Sequence, residues 1–205
     1  MDYGTSLPKP VLFILAGPNG AGKTTLFDLR LAPRLDSAVE FVNPDRLILG
    51  ELGRPATTLD ESVRGQELAD ARRDSLMRLR QSFVTESTFS HPSKLELIQA
   101  ARRMGYKIVV HHVCVANADI SVVRVAARVG EGGHPVPEDK IRGRYKRNRE
   151  LIREAILGAD LGFVLDNSSL NDPLRLVFQF VRGQLAHADP NPPQWAAELY
   201  GGPLA

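Results

Sequence analysis

Gly17-Pro18-Asn19-Gly20-Ala21-Gly22-Lys23-Thr24 stands directly after an apolar run at 11–16 and opens a segment of helical period at 23–31. The stretch satisfies G-x-x-x-x-G-K-[ST] at every fixed position, with the strand before it and the helix after it that the pattern needs. Phosphate oxygens require several N–H donors converging within about 3 Å, and only a turn poor in side chains lets backbone amides come so close. The helix that follows adds the positive end of its dipole. Gly17, Asn19, Gly20, Ala21, Gly22, Lys23, Thr24 and Thr25 are therefore the candidate cradle for ATP or GTP. Lys23 is spaced to reach the β- and γ-phosphates, and the Thr24 hydroxyl to complete the shell of a Mg²⁺ ion that keeps most of its waters.

Outward from the cradle, short runs rich in Val, Ile and Phe alternate with longer stretches of helical period. That alternation predicts an α/β chain in three layers around a central, mostly parallel sheet. Strands are expected at 11–16, 39–42, 83–85, 107–115 and 162–165, and helices near 23–31, 59–81, 92–104, 118–128, 137–157 and 193–200. The run 174–181 alternates at Leu174, Leu176, Phe178 and Phe180, which reads as an edge strand turning at Arg182-Gly183, although its length also suits a helix. No interior stretch reads as a linker, so 1–205 is expected to be one domain, with a Pro/Gly-rich tail at 189–205.

The chain has 205 residues, 43% of them hydrophobic and 24% charged, which is ordinary globular usage and rules out a fibrous or disordered polymer. The single cysteine, Cys114, rules out an internal disulfide framework and suits a reducing compartment. No apolar run approaches a membrane span, and 11–16 is too short for the core of a signal peptide, so a soluble, cytoplasmic protein is expected. A net charge of +2 excludes wholesale coating of nucleic acid, which is not an expected partner.

In an open α/β sheet, ligands bind beyond the carboxyl ends of the strands, so the polar residues there carry the chemistry. After the second expected strand lies Asn43-Pro44-Asp45. Asp45 either takes a proton from an attacking hydroxyl or caps a short helical turn at 46–49. After the third lies Glu86-Ser87-Thr88, where Glu86 can meet substrate hydroxyls or, through water, the metal, while Ser90 ahead of Pro92 reads as a helix start. Asp166, the single aspartate closing an apolar strand in the Walker B manner, reads more simply as part of a turn with Asn167 and Ser168. Cys114 reads as a small buried hydrophobe, and His111 and His112 point to opposite faces of one strand, so they cannot share a metal. His134, Trp195 and the tail are accounted for by surface packing.

Residues 124–153 carry a net +5. Within them Gly130, Gly132, Gly133, Pro135 and Pro137 separate two helical runs, and like-charged pairs one turn apart, Arg124 with Arg128 and Arg144 with Arg147, cost stability until an anion answers them. This predicts a hinged helical lid over the phosphates; the plainer alternative is a solvated basic face with salt bridges around Glu150.

Together, Gly17–Thr24, Asn43-Pro44-Asp45, Glu86-Ser87-Thr88, Arg128, Gly132-Gly133-His134-Pro135-Val136-Pro137 and Arg144-Tyr145 resemble the zeta-toxin family of P-loop kinases over about 7–167, in the form of a shorter Gly-Gly-His branch. The resemblance implies a P-loop NTPase/kinase fold with a helical lid at 124–153. It also implies ATP- or GTP-dependent, Mg²⁺-requiring transfer of the γ-phosphate to a hydroxyl of a small metabolite, the 3′-hydroxyl of UDP-N-acetylglucosamine in the characterised toxins. On it, Asp45 is the base, Lys23, Arg128 and Arg144 hold the γ-phosphate, Glu86 and Thr88 bind the acceptor, and a separate antitoxin protein is a partner. Where this chain has Ser90, those toxins usually carry arginine. A different class of reading, a nucleotide-gated ATPase that docks protein or RNA without transferring phosphate to a metabolite, accounts for the same cradle.

Overall fold

The computed structural model describes residues 9–130 and 136–202. Seven strands form one sheet in the order β2-β3-β1-β4-β5-β6-β7. Five of them, β1 (Val11–Ala16), β2 (Glu40–Val42), β3 (Phe83–Ser87), β4 (Lys107–Cys114) and β5 (Leu161–Asp166), run parallel. Parallel pairing demands a crossover between strands, and helices supply it: α1 (Lys23–Leu26), α2 (Pro44–Leu52), α3 (Leu59–Arg78), α4 (Ser93–Arg103), α5 (Ala118–Gly130) and α6 (Glu138–Gly158). The chain leaves β1 toward one edge and later passes to β4 on the other side, so the order reverses at β1, where the glycine-rich turn emerges.

The period-2 alternation of β1 and β4 sorts side chains cleanly. Leu12, Ile14, Ile108 and Val110 face a large core built with α3, α4 and α6, whereas Leu15 and Val113 face a smaller one closed by Leu26 and Phe27. The helical segment from Lys23 passes without a break from α into one π turn (Phe27–Leu31) and a 3₁₀ turn (Ala32–Arg34).

The run after β5 is a strand, β6 (Arg175–Val181), but not the edge. A hairpin at Arg182-Gly183 adds β7 (Gln184–Ala188) outside it, both strands antiparallel. Every residue of β7 is exposed, so its sequence lacks the apolar alternation that marks a half-buried strand. The final helix, α7 (Gln194–Tyr200), overturns the surface reading of Trp195, which is only 3% exposed. Its indole N–H donates to Asp166 Oδ1 at 2.8 Å, and its backbone carbonyl accepts from Arg149 at 3.0 Å. Arg153 likewise donates to the Leu199 carbonyl at 2.9 Å. Two arginines of the basic segment thus hold α7 in place rather than bridging to Glu150, and Asp166 is the buried anchor of that attachment. The pattern missed this because a Trp followed by scattered apolar residues looks alike at a surface and over a core.

His111 stacks on Phe163 with ring centroids 4.9 Å apart, while His112 shares a 2.7 Å hydrogen bond with the Tyr200 hydroxyl on the opposite face. Burial pushes His111 down to about 4 and His112 to about 3, so both are neutral in the fold. The unfolded chain takes up protons near pH 6.5 and the native chain does not, so stability present above that pH is lost as pH falls toward 4. Urea titrations are expected to show a loss of roughly 1–2 kcal/mol per histidine between pH 6.5 and 5, and His111→Phe to remove its share of that slope. A stability that stays level over this range would contradict the buried, neutral state of both rings.

Candidate functional site

The turn from β1 into α1 is shaped by packing as much as by any ligand. A Cβ on Gly17 would lie 1.9 Å from the Val113 carbonyl oxygen, and one on Gly22, at φ 95°, 2.3 Å from the Asn167 amide nitrogen. Asn167, a turn residue by its sequence, is 8% exposed and braces the cradle. Its amide donates to the Ala21 carbonyl at 2.8 Å and its oxygen accepts from the Leu174 N–H at 3.1 Å. Its signal in the sequence is its place just past the end of β5, where any polar residue, and not an acid alone, can reach the cradle. Asn167→Ala leaves the Leu174 N–H and Ala21 carbonyl unanswered and is expected to cost about 1–3 kcal/mol, with about tenfold weaker nucleotide binding measured by equilibrium titration. Unchanged affinity would show that the loop holds its shape without the brace.

Lys23 is 6% exposed, donates to the Pro18 carbonyl at 3.0 Å and lies 3.7 Å from Glu86 Oε1. Burial presses its ammonium below the ordinary value, Glu86 pulls it back up, and Arg128 presses it down again. The sheet order explains Glu86: β3 is the direct neighbour of β1, so its carboxyl end opens beside the cradle. Glu86 Oε2 accepts from the Thr24 hydroxyl at 2.8 Å and from the Asn43 amide at 3.0 Å. A hydroxyl and a carboxylate side by side below a phosphate cradle fit Mg²⁺, which takes a few protein oxygens and completes its octahedron with phosphate and water. Among the described residues no cluster of three His, Cys, Asp or Glu forms a metal cage. Asp166, held by Trp195 and Ser168, is turned to structural use instead.

Asp45 lies in the first turn of α2, exposed, and the capping role falls to Asn43, whose side-chain oxygen accepts from the Arg46 N–H at 3.0 Å. The cap is two residues earlier than the alternative reading of Asp45 required, because Pro44 occupies the first helical position, where its missing N–H costs nothing. Gly65 of α3 lets α2 settle close, since a Cβ there would lie 3.0 Å from the Pro44 carbonyl.

Thr88 sits in the loop between β3 and α4. Its hydroxyl shares a 3.3 Å contact with that of Ser90, and its carbonyl accepts from Asn148 of α6 at 3.1 Å. Ser90 is not the helix start: α4 begins at Ser93, whose N–H is met by the His91 ring at 3.2 Å. Phe89, buried at φ 55°, holds the loop in a left-handed turn that a phenylalanine adopts at a cost.

These parts line one cavity of about 610 Å³. Asn19, Lys23, Thr24 and Glu86 line it from the cradle, Asp45 and Thr88 border it too, and Arg124, Arg128, Lys140 and Arg144 line it from α5 and α6. Tyr145 anchors α6 by donating to the Val115 carbonyl at 2.8 Å, and the adjacent Arg144 reaches Asn19 Oδ1 at 3.3 Å. Burial, and next Arg147, press the Arg144 guanidinium below its ordinary value, a cost an anion across it would reverse. Gly132, Gly133, His134 and Pro135 lie outside the described residues. No helix among the described residues is long and apolar enough to cross a membrane.

Residues 12–167 match the family model described as AAA domain. An uncharacterized protein of Haemophilus influenzae is 26% identical over 136 residues, 63% of this chain and 88% of its own length. Among solved structures, a chain of the AvrRxo1-ORF1:AvrRxo1-ORF2 complex with sulphate ions superposes with a TM-score of 0.69 at 21% identity. The match covers 94% of this chain, which spans 63% of the length of that one; the same complex was also solved with ATP. A chain of the PezAT chromosomal toxin-antitoxin system of Streptococcus pneumoniae superposes with a TM-score of 0.63 at 15% identity, covering 98% of this chain and 82% of its own. These likenesses establish a P-loop kinase-like fold.

Proposed function

The chain belongs to the AAA-domain family over 12–167, and from that premise we propose that it is a P-loop phosphotransferase moving the γ-phosphate of ATP or GTP to a hydroxyl of a small metabolite. One observation carries this: a phosphate cradle, an exposed carboxylate off the cradle, and arginines of two helices line a single cavity. A carboxylate bordering the cavity beside the cradle is what transfer to a hydroxyl needs as its base, and it supports this reading over a protein that only switches shape.

In this reading the Asp45 carboxylate accepts the acceptor's hydroxyl proton as its oxygen bonds to the γ-phosphorus and the bond from that phosphorus to the β–γ bridging oxygen breaks. Lys23, Arg128 and Arg144 stabilise the charge spread over the transferred group, Arg by its planar fork. Thr24 and Glu86 would hold Mg²⁺, which when bound neutralises phosphate charge. Glu86 is therefore assigned to the nucleotide side, with Thr88 left on the acceptor side. In this reading the lid consists of the described parts of α5 and α6 that fall within 124–153, with Arg124, Arg128, Lys140 and Arg144 turned to the cavity.

Three likenesses extend the proposal. The AvrRxo1 complex with ATP supports a nucleotide in the cradle, and the PezAT system supports a separate antitoxin partner. The motif resemblance to zeta toxins supports the 3′-hydroxyl of a UDP-amino sugar as acceptor. Purified chain incubated with labelled ATP, Mg²⁺ and a metabolite extract is expected to yield a labelled, acceptor-dependent product that UDP-N-acetylglucosamine reproduces. ATP hydrolysis with no labelled acceptor would instead favour the gated ATPase.

A further inference from the structure

The same cavity is lined by Ser62, Val63, Gln66 and Arg73 of α3, at helical spacing, and by Lys94 of α4. Arg73 is 4% exposed. Its guanidinium donates to the Asp70 carboxylate and, at 3.3 Å, to the Thr85 hydroxyl. Asp70 is itself 63% exposed, so water answers much of its charge and Arg73 remains only partly neutralised.

Lys94 faces three costs at once. It is half-buried, and that burial presses its ammonium below the ordinary value, with Arg73 the next cause and Asp70 pulling the other way. Among the described residues it has no carboxylate within ion-pair distance. It also occupies the first turn of α4, where a cation opposes the helix dipole. An anion between the two side chains reverses all three, and a guanidinium fork beside a compact ammonium suits a carboxylate or a phosphate.

We propose that the acceptor is an acidic hydroxyl compound whose carboxylate or phosphate group seats between Arg73 and Lys94 while its hydroxyl lies at Asp45. The assignment rests on the phosphotransferase reading for the identity of the molecule, although the anion seat itself does not. A seat on α3 and α4 draws on side chains outside the cradle, so that the acceptor's charge is bound without competing for the amides that hold the nucleotide.

The test uses the full chain with a non-hydrolysable ATP analogue and Mg²⁺ filling the cradle. Acetylation of Lys94, read by mass spectrometry against exposed Lys107, is measured with inorganic phosphate, malonate or glycerol. Phosphate or malonate is expected to suppress labelling of Lys94 and not of Lys107, the more effective anion naming the acidic group, and glycerol to do nothing. In parallel, transfer is measured over matched neutral, carboxylated and phosphorylated polyols. Acidic members are expected to be preferred, with Lys94→Met raising their KM about tenfold or more, leaving kcat little changed, and Lys94→Arg restoring most of the loss. Labelling indifferent to both anions overturns the inference, even if a neutral polyol is phosphorylated and the phosphotransferase reading stands. Protection without transfer to any compound keeps the seat and sinks that reading instead.

Discussion

Asp45→Asn is expected to bind MgATP with the affinity of the native chain and to lose acceptor phosphorylation by roughly 10²- to 10⁴-fold, the range for removing a positioned general base. Asparagine keeps the size and hydrogen-bonding reach of the side chain and gives up its ability to take a proton, so the two measurements separate chemistry from binding. The contacts of the cradle do not run through Asp45, whose charge reaches Lys23 only as the weakest of the influences on it: the amides come from 17–25, and α2 is capped by Asn43. The fold should feel only the loss of one negative charge from a helix's first turn, a few tenths of a kcal/mol. Nucleotide affinity is read by equilibrium titration and transfer by labelled ATP with saturating acceptor. A variant that phosphorylates at the native rate would remove Asp45 from the chemistry.

Gly17→Ala carries the second large effect, for a reason that precedes any ligand. The added methyl would lie 1.9 Å from the Val113 carbonyl oxygen and 3.1 Å from its carbon. Both atoms are main chain of the central strand β4, and Gly17 follows directly on its neighbour β1, so neither side can swing away as a side chain would. The turn must therefore lift from β4 and carry the amides of the cradle with it. A loss of about 3 kcal/mol or more of stability is expected by urea titration, together with nucleotide binding too weak to titrate. If the variant melts with the native chain and binds normally, the turn is far more pliable than its packing indicates.

The cradle was legible because its pattern is local. Eight consecutive residues and the elements on either side suffice to state the turn, the helix start and the phosphate chemistry, and the alternation of β1 and β4 sorts His111 from His112 with no knowledge of neighbours. Asp45 and Glu86 were visible as polar residues closing strands. That Glu86 meets the Thr24 hydroxyl was not, because it depends on which strand lies beside β1, and strand order is a non-local fact. Asn167, Arg73 and Lys94 escaped for the same reason: a polar residue past a strand end, or a cation on a helix, is common until the fold sets it against the Ala21 carbonyl or another cation. Trp195 shows the converse, an apolar residue in a Pro-rich stretch whose burial depends on a hydrogen bond to Asp166 across 29 positions of chain.

By its own order of residues this chain dictates a phosphate-binding turn between a buried strand and a helix, and an α/β alternation that seeks a parallel sheet, since periodicity and glycine placement act over a few residues. Which carboxylate meets Thr24, which arginines line the cavity and which instead anchor α7, and which cations of α3 and α4 line that cavity too, were decided only when the crossovers brought distant segments together in space. Hydrogen bonds and charge pairs act over distances in space, and no pattern along the chain measures them.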